Sequence, residues 1–521
     1  MSRTIGIDLG TTNSCVAIVE GGQPTIIPNR QGARTTPSVV AFTEQGDVLV
    51  GSPAKRQAVT NPARTVYGAK RLIGRKHASA EVSSFAASCP YPIVPAPNGD
   101  AWISVGERTY GPQEISAYVL EYLRGAAEDY LGEEVKQAVI TVPAYYNESQ
   151  RQATKDAGAI AGREVLRIFN EPTAAALAYG VEKEGNQRLA VFDLGGGTFD
   201  ISIMEVHGGV FEVLATNGDT FLGGDDFDRR LIDMLVDHCQ KQTGVELEGD
   251  AMAMQRLKEA AEAAKHELSV SPTSSINLPF IATHEGAPVH LIYDELTRAA
   301  FEGLVQEELG RLEEPCLKAL ADAGLGPDQI DRVILVGGMT RMPAVQERVV
   351  QIFGKKPARD VNADEAIAMG AALQSSVMSG ELREVVLLDV TPHSLGLRVV
   401  GDRFSRILER NSRIPCREKK LFVPVKDDQD FVTLEIYQGE SDDVRDNHYL
   451  GRFTLGGLTR KDGTVPNVEV CFTMDADGLL HVAAVEVATG KAAAVEIQPS
   501  GGLSPQQIDR MVEERHGGQV H

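Results

Sequence analysis

"IGIDLGTTNSCVAI" (residues 5–18) and "AVFDLGGGTFDISI" (190–203) follow one plan: an apolar strand, Asp-Leu-Gly, a turn of small residues and a second apolar strand. Two copies of a strand–turn–strand unit point to a duplicated fold with two similar lobes. Two unrelated hairpins remain the alternative on pattern alone, because Gly and Thr are common in turns. In each turn the small residues let backbone N–H groups converge on a concavity suited to an anion. Gly10, Thr11, Thr12 and Asn13 build the first; Gly195, Gly196, Gly197 and Thr198 build the second. Asp8 and Asp193 precede them. A carboxylate there repels a bare phosphate and makes sense with Mg²⁺ between the two, since Mg²⁺ keeps most of its waters and takes one or two carboxylates plus phosphate oxygens. Neither GxxxxGK[ST] nor GxGxxG is present.

Outward from these turns, residues 1 to about 380 alternate β-branched apolar runs such as "QAVITVPA" and "DRVILVGG" with helical patterns such as "PQEISAYVLEYLRGAAEDYLG" (112–132), an α/β arrangement. A third turn, "LVGGMTRMP" (335–343), puts Gly337 and Gly338 after an apolar strand. The helix "RLKEAAEAAKHELS" (256–269) carries Glu262, Lys265, His266 and Ser269 on one face and Leu257, Ala261, Ala264 and Leu268 on another. Plain solvation is the bland reading of that polar face.

From about 391 to 500 the pattern becomes all-β. "FVTLEIY" (431–437) alternates strictly, and "VEVCFTMDADGLLHVAAVEV" (468–487) reads as a hairpin about Asp475–Gly478, as in a small β-sandwich. Between the two regions runs "ELREVVLLDVTPHSLG" (381–396), whose apolar stretch Val385 to Val390 is too hydrophobic for a solvated linker. It reads either as a linker that docks part of the time or as an ordinary buried strand. The chain ends in a short helix: Ser504 as N-cap, Pro505 at the first position, Gln507 closing a capping box, Ile508, Met511 and Val512 on one face, and Gly517 and Gly518 as a stop.

A chain of 521 residues exceeds one hydrophobic core. With 51 Lys+Arg against 73 Asp+Glu the net charge of −22 disfavours nucleic acid and anionic membrane as partners. The six cysteines are scattered without CxxC pairs, which predicts reduced thiols in a cytoplasmic protein, and neither a signal peptide nor an apolar run of membrane-spanning length is visible.

The motifs "GIDLGTTNSCVAI", "VGSPAKRQAVTNP", "KRLIG", "AVITVPAYYNESQRQATKDAG", "NEPTAAALAYG", "FDLGGGTFDISI", "ATNGDTFLGGDDFD", "ILVGGMTRMP" and "LLDVTPHSLG" lie in order along the chain. Together they resemble the DnaK-type chaperones of the seventy-kilodalton heat-shock family. The resemblance implies a duplicated actin-like, ribonuclease-H-like ATPase domain (1–380), an apolar linker (381–392), a β-sandwich peptide-binding domain (393–500) and a short helix with a tail (501–521). It implies an ATP-hydrolysing stress-response chaperone that binds unfolded polypeptides, with ATP or ADP and Mg²⁺ as cofactors and K⁺ as a further candidate. Partners would be a J-domain co-chaperone and a nucleotide-exchange factor, and the chain would be a monomer.

Carried onto matching positions, Asp8, Glu171 and Asp193 would hold the Mg²⁺–water–phosphate network, Asp8 and Asp193 through water. Lys70 would reach the phosphates and orient the attacking water. Thr11, Thr12, Gly195–Gly197 and Thr198 would cradle phosphates, with Asp200 as a supporting acid. The adenosine would lie among Gly223, Gly224, Glu262, Lys265, His266, Ser269, Gly337, Gly338, Arg341 and Asp364. Pro143, Arg151, Lys155, Arg167, Asn170 and Asp389 would relay nucleotide state and engage the J-domain. Leu397, Val399, Val400, Phe422, Val425, Val432 and Leu434 would line the peptide cleft; read without the resemblance, they are sandwich core, and Lys70 is a surface lysine.

The chain departs from the family pattern at Met339 and His266 in the adenosine site, at Cys15 beside the first turn, and in the short hairpin 204–213. His393 stands where an apolar residue is expected, beside the linker; it reads as a structural substitution, with titration near neutral pH as the alternative. The last helix resembles only the start of the family's helical lid, so a lidless chain is expected, with fast, weak peptide binding and the Ile508–Met511–Val512 face packed on the β-domain. A specialised regulatory ATPase of the same family, and a kinase of the same fold, are the competing readings.

Overall fold

The computed structural model describes residues 3–162, 164–180, 185–358, 362–382, 385–424, 430–458, 466–496 and 501–515. The two quoted stretches open two sheets of one design. In the first, Thr4–Asp8 runs parallel to Gln137–Val142, which runs parallel to Glu164–Asn170, while Asn13–Glu20 and Gln23–Ile27 follow antiparallel on its other side. In the second, Gln187–Leu194 runs parallel to Arg332–Val336, and Phe199–His207 and Val210–Asp219 follow antiparallel. Each turn therefore ends a central strand at its carboxyl end, the place where open α/β sheets bind ligands.

Helices Glu171–Gly180 and Ala366–Met378 are apolar on nearly every face, and they pack between the two sheets. Ala174, Leu177, Ala368 and Leu373 meet Val139 and Phe169 of the first sheet and Val191, Met204 and Val213 of the second. A helix this apolar is stable only when covered on all sides. Separate cores lie on the outer faces of the two sheets. Leu257, Ala261, Ala264 and Leu268 of helix Ala251–Val270 are buried in the second, as their spacing predicts.

The segment 385–390 turns out to be a strand in the second sheet. Val386–Val390 lies parallel to Val210–Asp219, pairing Val210 with Val386 and Glu212 with Leu388, and then pairs antiparallel with Arg413–Ile414. Val390 is buried in the core between the sheets and Asp389 is 5% exposed. Of the two readings left open by the sequence, the structure takes the buried strand, on the edge of the second sheet.

Beyond it, Arg403–Leu408, Leu395–Val399, Phe431–Gln438 and His448–Gly456 form one four-stranded sheet, and Cys416–Phe422, Val468–Met474, Leu480–Glu486 and Ala492–Glu496 form another. Leu395, Leu408, Ile436, Phe453, Val470, Phe472 and Val482 fill the space between them. The hairpin about Asp475–Gly478 and the alternation of 431–437 are as expected.

The β-rich unit rests on the helix Glu148–Ile160. The Glu148 N–H donates to Gln438 Oε1 at 3.1 Å, and the Leu480 N–H donates to Glu148 Oε1 at 2.9 Å. Further along, Arg410 and Asn411 both donate to Asp322, at 2.7 and 3.0 Å.

The last helix, Pro505–Arg515, forms as the sequence predicts: Ser504 Oγ accepts from the Gln507 N–H at 3.3 Å while Gln507 Oε1 accepts from the Ser504 N–H at 2.8 Å. Its packing differs from the expectation. Leu503, Ile508 and Met511 meet the core on the outer face of the first sheet instead of the β-rich unit. Polar ties fix that choice. Asp100 accepts from the Gly502 N–H at 2.6 Å, Asn98 donates to the Gly502 carbonyl at 3.0 Å, and Arg108 pairs with Glu514 at 3.0 Å. Gly517 and Gly518 lie outside the described residues.

Candidate functional site: a carboxylate-floored cavity between two repeated turns

The turns of the two repeats face each other across a cavity of about 610 Å³. Asp8, Gly10, Thr11, Thr12 and Asn13 line it from the first repeat and Asp193, Gly195, Gly196 and Thr198 from the second. Lys70 and Glu171 complete this end. The far end is walled by Gly224, Glu262, Lys265, His266, Ser269, Gly337, Gly338, Met339, Arg341 and Asp364. The polar face of helix Ala251–Val270 is therefore a wall of the cavity and not merely a solvated surface. Gly197 and Gly223 do not line the cavity; they sit behind the wall. A Cβ on Gly223 would fall 2.4 Å from the Gly197 nitrogen, and one on Gly196 would fall 1.8 Å from Thr12 Oγ1, so glycine is what lets the turns close on each other.

The electrostatics of the end between the two turns are lopsided. Lys70 Nζ donates to Glu171 Oε1 at 2.7 Å, with both side chains less than a tenth exposed. Burial by itself depresses the Lys70 pKa, but Glu171 outweighs it, with help from Tyr146 and Asp8, and the ammonium stays charged. The carboxylates around it are strained in the opposite sense. Burial, then the charge of Glu171, pushes Asp8 up to about 7. Burial, Glu171, Asp200 and Asp8 push Asp193 well above the usual carboxylate range. Asp200 reaches about 7 for the same first two reasons, although the Tyr145 N–H, at 2.8 Å, opposes the shift. Asp193 Oδ2 is buried with no donor.

This donor set fits Mg²⁺. An excess of buried negative charge and an orphaned carboxylate oxygen call for a cation. Among the described residues no three His, Cys, Asp or Glu side chains converge to ligate one ion by themselves. That is what Mg²⁺ tolerates, since waters and substrate oxygens supply most of its shell.

Several expectations about individual residues are settled by contacts. Cys15 is buried, its Sγ donates to the Arg34 carbonyl at 3.2 Å, and burial followed by the charge of Asp8 raises its pKa, so the thiol is unreactive. His393 does not titrate near neutrality: burial pushes it down to about 4, and its Nε2 meets the Tyr145 carbonyl at 3.2 Å. Met339 is buried and packs toward Gly224. Arg341 pairs with Asp364 at 2.6 Å at the cavity mouth.

The residues expected to form a relay are brought together, and a second acid, Asp477, joins Asp389 among them. Arg151 donates to Asn170 Oδ1 at 2.8 Å and to the Ala144 carbonyl at 2.9 Å, and Pro143 is buried beside them. Lys155 pairs with Asp477 at 3.0 Å, and Arg151 reaches the Asp477 carbonyl at 3.4 Å. Asp477 belongs to the turn of the second β-rich sheet. Asp389 accepts from Thr173 Oγ1 at 3.0 Å, and its charge is the strongest one opposing the burial of Arg151, as expected of the linker acid. Arg167 lies over the Phe169 ring, 5.5 Å from its centroid.

The expected cleft residues divide. Leu397 and Leu434 are buried in the sandwich core. Val399, Phe422 and Val432 are half-buried, and Val400 is 65% exposed. Val425 lies outside the described residues.

Two groups that the sequence reading missed also belong to the site. Asp228 lines the cavity and pairs with Lys265 at 2.8 Å. Arg71, the neighbour of Lys70, is buried and joins Asp226 at 2.6 Å. Neither sits in a periodic pattern, and partners 37 and 155 residues away give no local signal.

A family profile described as Hsp70 protein matches residues 4–519. The chain belongs to the Hsp70 family, and with that membership come nucleotide binding and ATP-dependent chaperone activity toward unfolded polypeptides.

Proposed function

We propose that the cavity binds Mg·ATP and hydrolyses its terminal phosphoanhydride, and that the strand Val386–Val390 couples this event to peptide binding in the β-rich unit. The observation that carries the reading is the pairing of two small-residue turns with a floor of Asp8, Glu171 and Asp193 facing Lys70, with buried Asp200 adding its charge from behind. Phosphoryl transfer needs positioning and charge neutralisation more than covalent help. The N–H groups of the two turns and Lys70 would cradle the phosphates. Asp8 and Asp193, through water, would hold Mg²⁺, whose contribution is to neutralise phosphate charge. A water attacks the γ-phosphorus, the bond to the β–γ bridging oxygen breaks, and ADP and phosphate leave. Glu171 holds Lys70 in place for this, and the residues 223–224, 262–269, 337–341 and 364 would seat the adenosine.

The strand Val386–Val390 pairs with Val210–Asp219 on one side and with Arg413–Ile414 on the other, which supports a linker at 381–392 between units of 1–380 and 393–500. Val399, Val400, Phe422 and Val432 are the accessible candidates for contact with an extended apolar peptide, and the Arg151–Asp477 contact is the candidate route between nucleotide and peptide. Phosphate release by the protein with ATP, with and without apolar peptide and a J-domain protein, tests the reading. Peptide-stimulated turnover is expected; turnover at the basal rate under every condition would overturn the coupled cycle.

A further inference from the structure

Lys70 and Arg71 share the tight turn Ala69–Arg71, yet they have different surroundings. Lys70 faces the cavity, whereas Arg71 lies behind its wall, 3% exposed. Its Nη1 and Nη2 donate to the two carboxylate oxygens of Asp226 at 3.1 and 2.6 Å, and Nη2 also reaches the Gly196 carbonyl at 3.3 Å. The Phe221 ring lies 4.6 Å from the guanidinium carbon. Asp226 is itself anchored, accepting from the Gly223 N–H at 2.8 Å, and the Asp225 N–H donates to the same Gly196 carbonyl at 2.9 Å.

One buried cation therefore ties the turn that carries Lys70 to the phosphate-cradle turn of the other repeat. The tie is a planar two-pronged fork with an aromatic face beneath it, a geometry that lysine cannot reproduce. We infer that Arg71 is a positioning residue for hydrolysis: it keeps Lys70 in register with the Gly195–Gly197 turn. The inference rests on the ATPase reading above. A slip of about 1 Å in such a register costs on the order of 10²-fold in rate while leaving most of the binding contacts intact.

The test is single-turnover ATP hydrolysis together with ATP affinity for the full chain and for Arg71→Lys, Arg71→Ala and Asp226→Asn. In Arg71→Lys we expect the rate to fall about 30-fold or more with the dissociation constant for ATP within about 3-fold of the parent. Asp226→Asn is expected to fall about 10-fold by the same route. Added methylguanidinium is expected to leave Arg71→Ala slow, because a free cation can pair with Asp226 without tying the Lys70 turn to it; recovery of the rate would give Arg71 an electrostatic role and overturn the positioning one. If Arg71→Ala does not fold, Arg71→Lys and Asp226→Asn carry the decision. The inference is overturned if both turn over at the parent rate, or if affinity falls in step with rate. The parent protein separates the two layers: a parent that releases no phosphate sinks the ATPase reading and this inference with it, whereas an active parent with an active Arg71 series sinks this inference alone.

Discussion

The two repeats start from the same strand–turn–strand plan and end differently. In the first, the hairpin closes on Gln23–Ile27, and no further strand among the described residues pairs with its outer edge. In the second, the equivalent strand Val210–Asp219 accepts Val386–Val390, which brings the β-rich unit with it. On the proposed function, this difference is how a duplicated fold would acquire an output. An exposed sheet edge offers unpaired N–H and C=O groups to any strand that fits. The second repeat uses its edge to hold the segment between the two units, while both repeats contribute alike to the cavity.

That contrast is open to attack at several points. In the proposed mechanism the repeats act together through Lys70, which pairs with Glu171 at the cavity floor. Lys70→Ala is expected to lower phosphate release by about 10²–10³-fold while retaining ATP binding. Near-parental turnover in that variant would remove Lys70 from the mechanism. If the two Asp-Leu-Gly turns act as a pair, Asp193→Asn reduces Mg·ATP affinity by about 10–100-fold and at the same time raises the melting temperature of the nucleotide-free protein, because it relieves buried repulsion. Titration calorimetry and thermal unfolding read the two effects, and a variant that loses stability would contradict the electrostatic account. A smaller effect is expected at the last helix. Ile508→Asp should free Pro505–Arg515 from the first lobe and expose it to protease, with a change of only a few degrees in melting temperature. Unaltered cleavage would show that the packing of Ile508 does not hold the helix.

The smallest expected effect is on pH. Asp8 and Asp200 have folded-state pKa values of about 7, above their unfolded values. The folded chain therefore binds protons more tightly, so this contribution favours folding at acid pH and is lost as pH rises from about 4 to 7. Mg·ADP should consequently raise the melting temperature more at pH 8 than at pH 6. An equal shift at the two pH values would mean that these carboxylates do not titrate with the site.

Local chemistry made much of this legible before any coordinates. The Asp-Leu-Gly turns, the polar face Glu262–Lys265–His266–Ser269 and the Ser504–Gln507 capping box are short-range patterns, and each sits where its spacing implies. Long-range pairing was not legible. Nothing near Lys70 announces Glu171, and nothing near Arg71 announces Asp226. The amphipathic face of the last helix was visible, but its partner was not, because an apolar stripe carries no address; Asp100 and Arg108 supply one in the fold. Likewise the alternation in 431–437 does not distinguish a cleft from a core, and Leu434 went to the core.

The central claim is that the strand on the edge of the second repeat transmits nucleotide state to peptide binding. Dissociation of a labelled apolar peptide, measured with ATP and with ADP in the parent and in Val390→Asp, tests it directly. The account predicts that ATP accelerates release by about 10-fold or more in the parent, the scale of a coupling free energy of 1–3 kcal/mol, and that the acceleration disappears when a charge is forced into the buried edge. Equal release rates with ATP and ADP in the parent, or an undiminished ATP effect in Val390→Asp, would contradict it.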